Sequence, residues 1–460
     1  MAGIGSRLDR LPVTSVHRIA FAALAFAYFF ELGDLNTFAY AAPAIIGAWH
    51  INVHTVAVIT SASFGGMFIG AMSGGAMASR LGRKRAFILS TLLYSAFSLL
   101  NAFAWNVVSL AVLRFITGIG LSSMTVIANT YIGEFFPARV RGRYMGLTMT
   151  VGLIGIPATA WVARFVVPIA PWGWRLIFVW GALGIVAALV ARRMLESPRW
   201  LVVRGRAAEA EASVDRLERV AMAEHGALAA PGGAVDMPVK AAASYANVLR
   251  SPHVARTALM TLISVLSTLG FYGFMAWVPT LLYEHGFSVT KSLTYTSVIA
   301  ICNPIGALIA ADLMERIDRK WFNTGVCVLV AICVLLYGVV GTPALIMLMG
   351  TLVVIALQGS ATGLYIYTSE LFSTDVRSLG IGLTYGIGRL TNVAGPLIVA
   401  AVYSGVGYVA VFLFVAGCYL VCAAAYGLIG PRTTGRALEA VSPGIIGSEV
   451  LDRAQPAAGG

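Results

Sequence analysis

Two carboxyl side chains stand three residues apart inside a long apolar stretch, Phe29-Phe30-Glu31-Leu32-Gly33-Asp34-Leu35-Asn36. If the stretch is helical, Glu31 and Asp34 share one face. An acid in hydrocarbon costs several kcal/mol, so its first reading is functional. Burial and neighbouring charge decide when such a carboxyl takes up or releases a proton. The chemistry is therefore proton binding, with a structural pair to an arginine as the alternative. Arg114 is the candidate partner. Asp34 lies about 15 residues from the cytoplasmic end of its apolar stretch and Arg114 about 20 residues from the cytoplasmic end of its own, so at about 1.5 Å per residue both reach the same outer half of a bilayer.

A second arginine suits a different task. Arg389 stands in Gly386-Ile-Gly388-Arg389-Leu-Thr-Asn392-Val-Ala-Gly395-Pro396, twelve residues beyond Arg377. That is about 18 Å of helix, near a bilayer midplane. Arg389 and Asn392 share a face. A buried guanidinium holds a carboxylate by two parallel hydrogen bonds, while a structural pair with Asp312 is the other reading. Tyr272, Asn303 and Gln358 are further inward polar candidates, each equally readable as a helix–helix contact. Gly395-Pro396 predicts a break or kink.

The elements that must hold these groups follow from composition. Of 460 residues, 58% are hydrophobic and 11% charged, and the mean hydropathy is +0.83. A soluble domain carries about 25% charged residues. The solvent for this chain is lipid, where spans are helices or closed barrels. Apolar runs of about 20 residues select helices over the ten-residue alternation of a barrel. Twelve spans are expected, at roughly 19–46, 55–78, 86–105, 108–132, 144–169, 174–193, 257–283, 292–313, 322–341, 343–368, 379–403 and 406–429. Short loops assigned to the inside hold Arg80, Arg83, Lys84, Arg85, Arg139, Arg141, Arg143, Arg316, Arg319, Lys320 and Arg377, while those opposite hold Arg164, Arg175 and Lys291. This asymmetry places both termini in the cytoplasm. It also accounts for the net charge of +12 without a nucleic-acid partner. The five cysteines, Cys302, Cys327, Cys333, Cys418 and Cys422, all fall in apolar runs and show no metal spacing with histidine. No metal or other cofactor is expected.

The chain also repeats itself. An offset of 236 carries Arg80, Arg83, Lys84, Tyr131, Glu134, Val140, Arg141, Gly146, Leu147, Thr148 and Gly152 onto identical residues, from Arg316 to Gly388. Two homologous membrane halves follow. The expected organisation is a cytoplasmic N-terminus (1–18), a six-helix bundle (19–193), a cytoplasmic linker (194–256), a second six-helix bundle (257–429) and a disordered cytoplasmic tail (430–460). Residues 206–224 of the linker have a surface-helix pattern, and 225–243 look flexible. Gly66, Gly70 and Gly74 predict close helix packing.

The loop Gly75-Ala-Met-Ala-Ser79-Arg80-Leu-Gly82-Arg83-Lys84 resembles the G-x-L-x-D-R-x-G-R-K signature of the major facilitator superfamily, with Ser79 at the usual acid. Glu315-Arg316-Ile-Asp318-Arg319-Lys320 is its second copy. Arg114-x3-Gly118-x-Gly120, Tyr131-Ile-Gly-Glu134-Phe-Phe-Pro137, Arg141-Gly142 and Glu196-Ser-Pro-Arg199-Trp-Leu are similar to the sugar-porter and organic-acid symporter branches. The Glu31–Asp34 stretch is similar to the D-G-x-D of aromatic-acid and metabolite proton symporters, which also resemble this chain in having an arginine at Arg389. The resemblance implies an all-α, two-halved carrier of the major facilitator fold, monomeric in the bilayer of a bacterial inner membrane. It implies proton-coupled symport of a small organic anion, an aromatic or heteroaromatic carboxylate being the candidate class. Arg80, Arg83, Glu134, Arg141, Glu315, Arg316, Arg319, Glu370 and Arg377 would form a cytoplasmic gate of ion pairs. A sugar or polyol carrier is the alternative, although the span at 257–283 lacks the glutamine and asparagine usual in sugar porters. A proton-driven exporter and a transporter-like nutrient sensor are the others. An enzyme has no catalytic set to support it.

Overall fold

The apolar runs form helices because lipid leaves the backbone no other hydrogen-bond partners. In the computed structural model, residues 4–229, 249, 253–372 and 377–432 are described, with backbone alone for 315, 369, 377 and 378. The linker from 230 to 248, the tail from 433, and the side chains of Glu315 and Arg377 lie outside the described residues.

The helices in chain order are α1 (Ile4–Asp9), α2 (Ser15–Trp49), α3 (Val53–Leu81), α4 (Arg83–Asn101), α5 (Val107–Phe135), α6 (Ala138–Val166), α7 (Trp174–Ala182), α8 (Ile185–Ala191), α9 (Pro198–Val203) and α10 (Ala207–His225). After the linker come α11 (His253–Met275), α12 (Val278–Glu284), α13 (Val289–Ala300), α14 (Cys302–Arg316), α15 (Arg319–Val339), α16 (Pro343–Leu371), α17 (Arg377–Val406) and α18 (Tyr408–Ala424). Among the described residues, 11 spans are long and apolar enough to cross a membrane. The expected third span, α4, is not among them. It begins Arg83-Lys84-Arg85 and carries Ser90, Thr91, Ser95, Ser98 and Asn101, all buried.

Prolines divide two of the expected spans. Pro279 would clash with the carbonyl of Met275, where α11 ends, and Pro304 with that of Ala300, where α13 ends. Pro396 does otherwise. Of the break or kink expected at Gly395-Pro396, the break is absent, and α17 runs through it to Val406. In a lipid-embedded bundle a continuous helix keeps more backbone groups paired than a broken one does.

The described residues fall into two compact units, Met1–Asp236 with Val278–Ile301, and Met237–Trp277 with Cys302–Gly460. In the first, α2 packs on α6, α3 on α5 and α4 on α5; in the second, α11 packs on α17, α14 on α16 and α15 on α16. The order of pairing is the same, as the sequence repeat requires. Close approach of α3 to α5 depends on Gly66 and Gly70, where a Cβ would fall 1.8 Å from the Phe115 carbonyl oxygen and 2.3 Å from that of Ile119. The segment Val278–Ile301 belongs with the first unit through α13, where Ser297 Oγ donates to the Ala160 carbonyl at 2.8 Å and Arg164 donates to Thr294 Oγ1.

At the end of the first unit that carries the α3–α4 loop, α10 forms where the surface-helix pattern predicts it. It clasps the N-terminal helix: Arg7 pairs with Asp215 and Glu218, each at 2.6 Å, and Arg10 with Glu218 at 2.6 Å. Glu224 accepts from the Ser15 backbone N–H at 3.0 Å, at the start of α2.

Candidate functional site

Asp34 sits midway along α2, with no exposed surface. Its Oδ2 receives Arg114 Nη1 at 3.1 Å, and Arg114 is itself 1% exposed. The two groups expected to meet are an ion pair. Thr37 Oγ1 donates to the Asp34 carbonyl at 2.7 Å and receives Arg114 Nη1 at 3.2 Å. Arg114 Nε donates to Ser63 Oγ of α3 at 3.2 Å. Ser98 of α4 donates to Asp34 Oδ1 at 2.5 Å. Helices α2, α3, α4 and α5 thus each place a side chain in one polar cell. An opposed pair at this depth survives only because further hydrogen bonds satisfy it. Glu31 is buried one turn inward on α2, with 4% exposure.

The glycine between the acids has a packing role. A Cβ at Gly33 would fall 2.5 Å from Thr159 Oγ1, so Gly33 lets α2 press against α6. Gly181 of α7 is the second necessary absence. A Cβ there would lie 2.1 Å from Asp34 Oδ1 and 2.6 Å from Ser98 Oγ. Ser98 and Gly181 were not among the candidates from sequence. A serine in a membrane helix commonly bonds its own backbone, as Ser90 does to Ala86, so its type alone carries little signal.

The second unit holds the other candidates. Gln358 Nε2 donates to Asn303 Oδ1 at 3.2 Å, both buried, which ties α16 to α14. Tyr272 is half-buried on α11 beside Phe271, the ring centroids 5.2 Å apart. Arg389 is half-buried and Asn392 buried one turn further along α17. Asp312, the alternative partner for Arg389, pairs with Arg316 on its own helix at 2.8 Å. Tyr385 lies four residues before Arg389, on the same face of α17. Its ring stacks on Tyr365 of α16, with centroids 4.6 Å apart and planes 18° apart. Tyr365 and Tyr385 went unnoticed in the sequence because single tyrosines in apolar runs are common; only their stacking sets them apart.

Four of the nine residues expected at the gate pair in two copies of one stitch. Arg83 Nη2 pairs with Glu134 Oε1 at 2.7 Å in the first unit, and Arg319 Nε with Glu370 Oε1 at 2.8 Å in the second. Each pair stays inside one unit. The repeat extends further. Tyr131 donates to the Leu195 carbonyl at 2.9 Å and Tyr367 to the Pro431 carbonyl at 2.6 Å, and both donor and acceptor are shifted by the same 236 residues. The first copy is the more elaborate. Glu134 also accepts from Ser197 Oγ at 2.6 Å, and Glu196 receives the backbone N–H groups of Arg83 and Lys84 at 2.8 and 3.1 Å. A carboxylate at the N-terminus of α4 complements its unpaired N–H groups. Gly82 permits this: its φ is +93°, and a Cβ would fall 2.4 Å from Glu196 Oε2. Ser79, at the usual acid position, donates to the Ala76 carbonyl. Arg80 is exposed, Arg141 approaches Asp9 at 3.9 Å, and Arg316 is bound only in the pair with Asp312 among the described ion pairs.

Known proteins resemble this chain in sequence and in fold. A family model described as "Sugar (and other) transporter" matches residues 19–444. The putative metabolite transport protein YyaJ of Bacillus subtilis is 42% identical, over 94% of this chain and 96% of its own. The niacin transporter NiaP of Acinetobacter baylyi is 30% identical, over 95% of this chain and 99% of its own. Among solved structures, the xylose transporter XylE from E. coli in a partially occluded inward-open conformation superposes with a TM-score of 0.72. It does so at 15% identity, over 91% of this chain and 99% of XylE.

Proposed function

The chain belongs to the sugar (and other) transporter family, within the major facilitator superfamily, as a membrane transporter and not an enzyme; from that premise we propose that it moves a small aromatic carboxylate together with protons. In this reading twelve helices cross a bacterial inner membrane with both termini in the cytoplasm, and the two halves alternate access to the substrate.

The observation that carries the coupling is the buried pair of Asp34 and Arg114. Ionised, Asp34 neutralises Arg114. Protonated, it leaves the guanidinium uncompensated in a medium where an unpaired charge is costly. Protonation therefore changes the local charge and can bias one conformation over another. Glu31, one turn away, is the secondary acid.

Recognition is assigned to the second unit. Arg389 offers a planar fork for a carboxylate, with Asn392, Tyr272, Asn303 and Gln358 as further polar groups. The stacked Tyr365 and Tyr385 give an aromatic ring a face to lie against. The niacin transporter among the relatives supports an aromatic carboxylate. The xylose transporter shares the fold, but α11 contains neither glutamine nor asparagine, which a polyol ligand would need as partners.

The test is uptake into vesicles holding the purified protein, with an imposed inward proton gradient. Labelled nicotinate should accumulate against its own gradient and collapse when a protonophore is added, while xylose should not accumulate. Accumulation of xylose in place of carboxylates would establish the sugar reading.

A further inference from the structure

The Ser98 hydroxyl faces two acceptors with a single proton. Its oxygen lies 2.5 Å from Asp34 Oδ1 and 3.1 Å from the Phe178 carbonyl oxygen of α7. A serine has one O–H to donate and two lone pairs to accept with. It can serve only one of these oxygens at a time. All three groups are in the first unit, and Ser98, Asp34 and Phe178 have no exposed surface.

We propose that Ser98 is a positioning residue that reports the charge of Asp34 to the end of α7 by turning its hydroxyl. The proposal rests on the reading of Asp34 as the coupling acid. With Asp34 ionised, Ser98 donates to Oδ1 and Arg114 serves Oδ2, so each carboxylate oxygen has a donor. A proton arriving from water goes to Oδ1, because Oδ2 faces the guanidinium. The new O–H donates to Ser98 Oγ, and the serine's own proton turns to the Phe178 carbonyl. No heavy-atom bond forms or breaks, and release of the proton to water reverses each step. The carboxyl oxygens keep hydrogen-bond partners in both charge states, while the charge of Arg114 loses its counter-ion, which is the change the coupling reading uses.

The surroundings of Phe178 make this a message as well as a convenience. Its ring lies 6.0 Å from the Arg114 guanidinium carbon, so the residue senses both members of the pair. Its helix ends four residues later at Ala182, where Leu183 and Gly184 make tight turn bonds to Trp180 and Gly181 before α8 resumes. The notch at that break is built around the acid. Gly181 leaves room for Asp34 Oδ1, and at Gly184 a Cβ would fall 2.0 Å from the Tyr94 hydroxyl. A hydroxyl that turns to donate to the Phe178 carbonyl adds a hydrogen bond in the last turn before a discontinuity, where backbone groups are already partly released.

The experiment needs no substrate. The full-length protein, labelled with carbon-13 at its phenylalanine carbonyls and held in lipid vesicles, is studied by infrared difference spectroscopy between acid and alkaline pH. The wild type should show a protonated-carboxyl band that vanishes in Asp34→Asn, together with an isotope-shifted amide band that Phe178→Leu removes and so assigns to Phe178. In Ser98→Ala the carboxyl band should persist at a higher frequency, having lost a hydrogen bond, and the phenylalanine band should vanish. Ser98→Thr should restore both, and Ser98→Cys, with a weaker donor, serves if the alanine variant does not fold. Persistence of the phenylalanine band in Ser98→Ala, or at undiminished shift in Ser98→Cys, or its absence from the wild type beside an Asp34 carboxyl band, overturns the relay and leaves the coupling reading intact. A carboxyl band unchanged by Asp34→Asn overturns the coupling reading, and the relay with it.

Discussion

The two units share a frame but differ at its centre. The arginine–glutamate stitch is repeated in register, as Arg83 with Glu134 and Arg319 with Glu370, although the first copy is a two-bond fork and the second a single Nε–Oε1 approach. Yet the offset of 236 carries Asp34, Ser98 and Arg114 onto Gly270, Val334 and Gly350. The polar cell of the first unit has no charged counterpart at these positions. Instead a Cβ at Gly270 would fall 2.4 Å from Tyr419, and Phe274, Tyr337 and Phe412 pack ring against ring. A duplicated scaffold has kept the ion pairs at one end of its helices and diverged at the positions where we propose that the proton acts. The difference supports a division of labour, with charge change in the first unit and recognition by Arg389 in the second.

The strongest way to break the comparison is to remove one charge. Arg114→Leu should destabilise the protein by about 3–5 kcal/mol, since it strands a buried carboxylate. Asp34→Asn combined with Arg114→Leu should recover part of that loss. Thermal unfolding in detergent reads both, and an equal loss in single and double variants would mean that the pair is not coupled. In the second unit, Arg389→Lys keeps the charge but loses the planar fork. Nicotinate affinity should fall roughly ten- to a hundredfold, the worth of about 1.5–3 kcal/mol. Nicotinamide should bind weakly to the wild type and lose little more in the variant. Equal losses for acid and amide would make Arg389 scaffold.

The repeated stitch permits a finer contrast. Glu134→Gln and Glu370→Gln should each cost on the order of 1.5–3 kcal/mol, as hydrogen bonds to charged groups do. The first should cost more, because Glu134 also holds Ser197. The smallest effect concerns α1 and α10. Hydrogen bonds from Arg7 and Arg10 hold the Glu218 carboxyl below its usual range. Its contribution is therefore complete above the ordinary carboxylate range and is lost as pH falls through its lowered value. The cost is below about 1 kcal/mol for a pair near the surface. A spin label at Gly5→Cys, where the side chain meets open space, should gain mobility only in acid. Unchanged mobility down to acid unfolding would assign the clasp to other contacts.

Much of this contrast was legible in the residues. Asp34 and Arg114 stand out because charge in hydrocarbon is expensive, and helical rise puts them at one depth. The inner stitch stands out because both copies keep their identities in register. Ser98 and Gly181 were not legible. What matters is a hydroxyl between two acceptors and a missing Cβ beside a carboxylate, and neither is a property of residue type. The role of Glu196 was hidden for a related reason, since its partners are backbone N–H groups. Pro396 left break and kink both open because a proline removes one donor, while the bundle decides whether the helix continues.

The most direct measurement of the central claim compares two kinds of nicotinate flux in vesicles carrying the wild type or Asp34→Asn. One is accumulation driven by a proton gradient; the other is exchange of labelled for unlabelled nicotinate with no gradient. Asp34→Asn should abolish accumulation while exchange partly survives, because the site still alternates but no longer changes charge. Full gradient-driven accumulation in Asp34→Asn would contradict the account.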